Sequence, residues 1–113
     1  MNEWTPGGAV RLLLCTVPDE AAAERIARVL VEERLAACVN MVPGLRSIYA
    51  WKGRIEDDRE VLLLIKSTDD HLPALAERVR SLHRYENPEV IALPVEAGLS
   101  DYLDWVRASV KAT

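Results

Sequence analysis

The sequence predicts an α+β fold whose elements run β-α-β-β-α-β and end in an extra C-terminal helix. Nearly continuous apolar runs stop at prolines, which is typical of strands covered on both faces. Between these runs, apolar residues recur at helical spacing. A Lys-Gly pair joins the two middle runs into one long hairpin. This order is that of the ferredoxin-like split βαβ sandwich, in which both helices cover the same face of the sheet.

The first strand is predicted at residues 10–17, which are apolar almost throughout. Pro18 ends this strand, and Asp19 is placed to cap a helix. The alanine, isoleucine and leucine residues that follow share one helical face as far as about Glu33 or Arg34.

The N-terminal residues 1–9 contain Pro6-Gly7-Gly8 and show no periodicity, so we expect a flexible tail there. The rest of the chain, residues 10–113, has the length of a single domain. For Trp4 we expect contact with the body of the domain or with a neighbouring chain.

The central hairpin is predicted over residues 37–66, with a bend at Pro43-Gly44 and a turn at Lys52-Gly53. We expect a β-bulge at Asp57-Asp58. The charged run 56–60, "EDDRE", is interpreted as a solvated strand edge of the kind that opposes aggregation.

The second helix is predicted to start at an Asp69 or Asp70 cap, with Pro73 in its first turn. The apolar run 89–95, closed by Pro94, is predicted as the fourth strand. Both helices of the split βαβ lie on one sheet face, so the other face needs a cover.

The last helix opens at Gly98 and Ser100 and is too small to cover that second face alone. We therefore expect oligomerisation, with sheets packing on sheets. Trp105 lies off the apolar stripe of this helix and is expected to contact a neighbouring subunit.

Composition excludes several functional classes. The net charge is −4 and the 14 basic residues are scattered, which argues against nucleic-acid binding. The longest apolar run, "VLLLI", is far too short to cross a membrane.

The chain opens without a signal-peptide pattern, so its two cysteines are expected to be reduced in the cytoplasm. No nucleophile elbow, phosphate loop or paired CxxC is present, so we expect no enzymatic activity.

Three stretches resemble the CutA family of divalent-cation tolerance proteins: "LCTVPDE", "ERLAACVNMVPGLRSIYAWKGRIEDDREVLLLIKS" and "HRYENPEVIALPVEAGLSDYLDWV". The resemblance covers residues 10 to about 110. It implies a homotrimer of ferredoxin-like subunits, similar in architecture to PII signalling proteins, with long hairpins pairing edge to edge. It also implies a role in tolerance of copper and other divalent metals. Animal members are linked to anchoring a cell-surface esterase, which implies an unknown protein partner.

Cys15 and His83 are the candidate metal ligands. In a sheet ordered 4-1-3-2, the end of the first strand and the end of the second helix lie at the same rim, which places these two residues near each other. A thiolate with an imidazole suits copper or zinc much better than magnesium or calcium. The resemblance implies the same two ligands, together with a preceding histidine that is replaced here by Leu82.

Structural roles compete with this metal hypothesis. Cys15, in an apolar strand, is of a type that usually only packs. His83 on an apolar helix face fits a core position or a helix C-terminus. We interpret Cys38 as a packing residue and His71, at a helix start, as solvated.

Tyr49 and Trp51, near the hairpin tip, form either a small-ligand pocket at a subunit interface or aromatic packing between subunits. Glu89, at the start of the fourth strand, is expected to pair with a basic hairpin residue across an interface. Lys66, near the end of the third strand, is an alternative polar contact.

Together these features favour a cytoplasmic, trimeric metal-binding protein that contributes to tolerance of copper or another divalent transition metal. A PII-like signalling or scaffold trimer that binds a small molecule or a partner protein is the alternative. A small enzyme ranks last.

Overall fold

The computed structural model describes residues 3–112. Its elements in chain order are β1 (Trp4–Pro6), β2 (Val10–Val17), α1 (Glu20–Glu32), β3 (Cys38–Trp51), β4 (Arg54–Thr68), α2 (Leu72–Leu82), β5 (Ile91–Pro94), β6 (Ala97–Leu99) and α3 (Ser100–Ser109). No helix within the described residues has the length and apolar run needed to span a bilayer.

The main sheet is antiparallel and has the order β3-β4-β2-β5. This is the strand order that the sequence predicts for the ferredoxin-like arrangement, and it is confirmed. A second, two-stranded sheet pairs β1 with β6.

One face of the main sheet is covered by α1 and α2. The α1 helix begins at Asp19, as predicted, because the Asp19 side chain accepts a hydrogen bond of 2.8 Å from the backbone N–H of Ala22. Side chains from both helices and from β2 and β4 form one buried apolar core; its largest members are Leu13, Ile26, Leu30, Leu63, Ile65, Leu75, Val17 and Val79.

The opposite face of the sheet, here called the open face, carries apolar side chains with little cover. Residues paired directly across antiparallel strands point to the same side, so the register defines this face. Its apolar members are Leu12, Leu14, Val42, Leu62, Leu64, Ile91 and Leu93. The α3 helix covers only one end of it, where Leu103 and Val106 pack with Val10.

The central hairpin follows its prediction at the turn and at the bend. Lys52 and Gly53 have positive φ values of 50° and 77°, as a two-residue type I′ turn requires. The register shifts between Val42 and Leu45, so the bulge lies at the predicted bend. The expected bulge at Asp57-Asp58 is wrong, because both residues pair regularly with β3.

The predicted N-terminal tail is wrong for the residues that form β1. Trp4–Pro6 pairs with Ala97–Leu99, and the Gly7 N–H donates to the Glu96 carbonyl at 2.9 Å. These two short strands carry too few residues to show a periodicity. The part of the tail at residues 1 and 2 lies outside the described residues.

The start of α2 also differs from its prediction. Asp69 and Asp70 lie in a 3-10 turn that precedes the helix, and neither caps it. His71 is buried rather than solvated, because its Nε2 donates to the carbonyl of Lys111 near the C-terminus. Pro73 occupies the first helical turn as predicted.

Candidate metal and ligand site

The fold brings Cys15 and His83 to the same backbone group, the carbonyl oxygen of Thr16. Cys15 lies in β2 on the helix-covered side, is fully buried, and places its Sγ 3.9 Å from this oxygen. His83 immediately follows α2, and its Nε2 donates to the same oxygen at 2.7 Å. The thiol and the imidazole therefore lie close together, although Thr16 and His83 are 67 residues apart in the sequence.

The His83 ring is held by two backbone groups. The N–H of Tyr85 donates to Nδ1 at 3.1 Å, so Nδ1 is the acceptor and Nε2 carries the proton. The rings of His83 and Tyr85 also lie 4.7 Å apart between centroids. A metal ion binding to either nitrogen must displace one of these two hydrogen bonds.

The Cys15 thiol is protonated at neutral pH. Burial, together with the negative charges of Glu89 and Glu60, raises its pKa to about 12. A thiol that binds a metal must lose its proton. Nearby carboxylates oppose that loss, but the same carboxylates attract an incoming cation.

No group of three or more His, Cys, Asp or Glu side chains in the described part of the chain is arranged to hold a metal ion. Cys15 and His83 thus form at most part of a ligand set in one subunit. The other cysteine, Cys38, lies half-buried in β3 with its Sγ 3.9 Å from the Asn40 side chain, and both cysteines are free thiols.

A cleft of about 620 Å³ opens at Thr16, the residue that both groups contact, although neither Cys15 nor His83 lines it. It is lined by Thr16, Ser47, Ile48, Tyr49, Trp51, Glu60, Arg84, Tyr85, Glu86, Asn87 and Glu89. Two tyrosines donate to carboxylates here: Tyr85 Oη to Glu60 at 2.8 Å, and Tyr49 Oη to Asp58 at 2.5 Å. The hydrogen bond to Asp58 raises the pKa of Tyr49 to about 12, whereas burial, together with the hydrogen bond to Glu60, raises the pKa of Tyr85.

Glu60 and Tyr85 are two of the cleft residues that the sequence analysis missed. The interpretation of "EDDRE" as a solvated edge agrees with residues 56–59, which pair only with β3 and are exposed or half-buried, but it is wrong for Glu60, which is 6% exposed. Alternation along β4 places Glu60 on the same side as Leu62 and Leu64, and this alternation was a usable signal.

The remaining predicted site residues are dispersed. Tyr49 and Trp51 line the cleft, and so does Glu89, which precedes β5 instead of starting it. Lys66 lies on the open face and donates to the Asn40 side chain. Trp105 is 47% exposed on α3 and lies beside Tyr102, with ring centroids 5.7 Å apart.

The fold and the cleft together define an α+β protein of ferredoxin-like topology with a small-ligand-sized site at one end of its open face. A family model described as "CutA1 divalent ion tolerance protein" matches residues 11–109. The chain belongs to this family.

Individual relatives agree with this assignment. The divalent-cation tolerance protein CutA of Thermus thermophilus is 56% identical over 96 residues, covering 85% of this chain and 93% of that protein. Human protein CutA is 56% identical over 100 residues, which are 88% of this chain but 56% of the human protein. The crystal structure of CutA1 from Oryza sativa superposes with a TM-score of 0.91 at 42% identity, covering 94% of this chain and 97% of that one.

Proposed function

We propose that this chain is a cytoplasmic metal-binding subunit that contributes to tolerance of copper or another divalent transition metal and acts as a binding protein without catalytic activity. The contact of both Cys15 and His83 with the Thr16 carbonyl carries the proposal. The family to which the chain belongs is described by divalent ion tolerance.

The chemistry of the two ligands favours a transition metal. Thiolate sulfur and imidazole nitrogen bind copper and zinc in preference to magnesium or calcium. Glu89 and Glu60 both act electrostatically on Cys15, so they lie close enough to attract a cation towards it. Further ligands come from one of these carboxylates, from water, or from a second copy of the chain.

Assembly into a homotrimer is part of the same proposal. The open face leaves Ile91 53% exposed and Leu93 43% exposed in edge strand β5, and leaves Val42 exposed in β3 at the opposite edge of the sheet. A contiguous apolar face of this kind indicates a protein interface. Covering it with further copies would also give the cleft, at the end of that face, a second wall.

Copper titration of the assembled protein tests the metal assignment. Wild type is compared with Cys15→Ala, His83→Ala and the matched control Cys38→Ala. We expect weakened binding in the first two variants and unchanged binding in the control, because β4 separates Cys38 from β2 and Cys38 points to the other face of the sheet from Cys15. Equal affinity and stoichiometry in all four proteins would reject these ligands.

The proton of Cys15 supplies a second readout. Because the thiol pKa is about 12, a metal that binds the thiolate near pH 7 must release that proton. Calorimetry in two buffers of different ionisation enthalpy should show this release in wild type and its loss in Cys15→Ala. Binding through carboxylates alone would release almost no protons in either protein.

A PII-like trimer that binds a small molecule or partner protein is the second candidate function. The cleft volume of about 620 Å³ is in the range of small-molecule sites and favours it. Thermal-shift screening of metal-free protein tests this candidate, and a stabilising metabolite would support it.

A further inference from the structure

The Glu60 side chain is buried without a cation beside it. Its residue is 6% exposed, and none of the ion pairs formed within residues 3–112 includes it. Its carboxylate accepts a hydrogen bond of 2.8 Å from the neutral phenol of Tyr85. Buried ionised carboxylates are usually paired with a positive group, because burial without one is costly.

The surroundings of Glu60 add negative charge. Glu89 lines the same cleft and Asp58 lies two residues away on the same side of β4, and neither forms an ion pair in the described part of the chain. The cations at the cleft, Arg84 and Lys52, are each already paired with another acidic residue. The cleft therefore presents uncompensated carboxylates to whatever enters it.

The cleft walls are aromatic as well as acidic. Tyr49, Trp51 and Tyr85 line it, and the ammonium of Lys52 lies 5.6 Å from the Trp51 ring centroid. Ammonium groups are attracted to aromatic faces, and alkyl chains pack against them. A volume of about 620 Å³ exceeds what one metal ion requires.

We propose that this cleft binds a small organic dication of the alkyl diamine class. One ammonium group contacts Glu60, the second lies towards Glu89, and the alkyl chain packs against the aromatic rings. The inference deepens the second candidate function, because it names the ligand class of the cleft, and it does not depend on metal binding by Cys15 and His83.

Titration of the assembled, EDTA-treated protein with 1,4-diaminobutane at low salt tests the proposal. The neutral isostere 1,4-butanediol, and potassium chloride at equal ionic strength, control for shape and for screening. The variant Glu60→Gln keeps the acceptor for Tyr85 but removes the charge. Glu77→Gln, on the exposed side of α2 and ion-paired with Arg80, is the matched control.

We expect saturable calorimetric binding of the diamine to wild type and to Glu77→Gln, with affinity lowered at least about tenfold in Glu60→Gln. No binding to wild type, equal binding of the diol, or unchanged affinity in Glu60→Gln would overturn the proposal. A third outcome is that wild type binds no diamine and Glu60→Gln dissociates the assembly. This outcome would mean that a basic side chain of a neighbouring copy occupies the cleft, and it would also overturn the proposal. Copper binding that persists while diamine binding fails leaves the metal assignment intact.

Discussion

Replacing Ile91 by glutamate should dissociate the assembly without unfolding the subunit. Ile91 lies on the open face in edge strand β5, in register with Leu14. It is 53% exposed in one subunit, so a charged side chain there remains solvated in the isolated chain. Covering the open face with another copy would bury that charge.

The size of the effect follows from this exposure. Burying the exposed half of an isoleucine side chain contributes about 1 kcal/mol per chain. Over three chains the loss is about 3 kcal/mol, or about a hundredfold in the trimer dissociation constant. Desolvation of the new carboxylate adds further to this loss.

Sedimentation velocity at low micromolar concentration measures the outcome, and circular dichroism checks that the subunit remains folded. The matched control is Ala21→Glu, which adds the same charge at an exposed position of α1. We expect trimers for wild type and the control and smaller species for Ile91→Glu. A folded wild-type monomer, or a trimer of Ile91→Glu as stable as wild type, would refute the reasoning.

Three further predictions concern the subunit itself. His71→Ala should lower the free energy of unfolding in urea by about 3 kcal/mol, since it empties a buried site and leaves the Lys111 carbonyl without its donor; a loss below about 1 kcal/mol would contradict this. Gly53→Ala should cost about 1 kcal/mol in the same assay, because φ there is 77°, and an unchanged midpoint would contradict the type I′ turn. The native Cys15 thiol, with its pKa raised to about 12, should resist alkylation by iodoacetamide at pH 8. The stability that the protonated thiol contributes should be lost as the pH rises from about 9 towards 12. Rapid alkylation of Cys15 in the folded protein, detected by peptide mass analysis, would contradict its burial.

The parts of the fold that the sequence predicted well are those with repeated local signals. The β2 strand, the α1 cap at Asp19 and the Lys52-Gly53 turn each depend on neighbouring residues. Their order was enough to predict the sheet order, because few topologies satisfy one βαββαβ sequence. That sheet order placed Cys15 and His83 at one rim.

The errors arose where distant segments decide the environment. His71 is buried because the C-terminal segment supplies the Lys111 carbonyl, and nothing near residue 71 in the sequence indicates that contact. Glu60 is buried because Tyr85, from the loop after α2, lies over it. The β1 strand forms because β6 offers it a partner, and three-residue strands carry no detectable pattern.

A crystal structure of the copper-soaked protein, with anomalous scattering recorded at the copper edge, tests the central claim most directly. We predict an anomalous peak within bonding distance of Cys15 Sγ and a ring nitrogen of His83, with the His83 hydrogen bond to Thr16 or to Tyr85 broken. Full copper occupancy at another position, with both of those hydrogen bonds intact, would contradict the account.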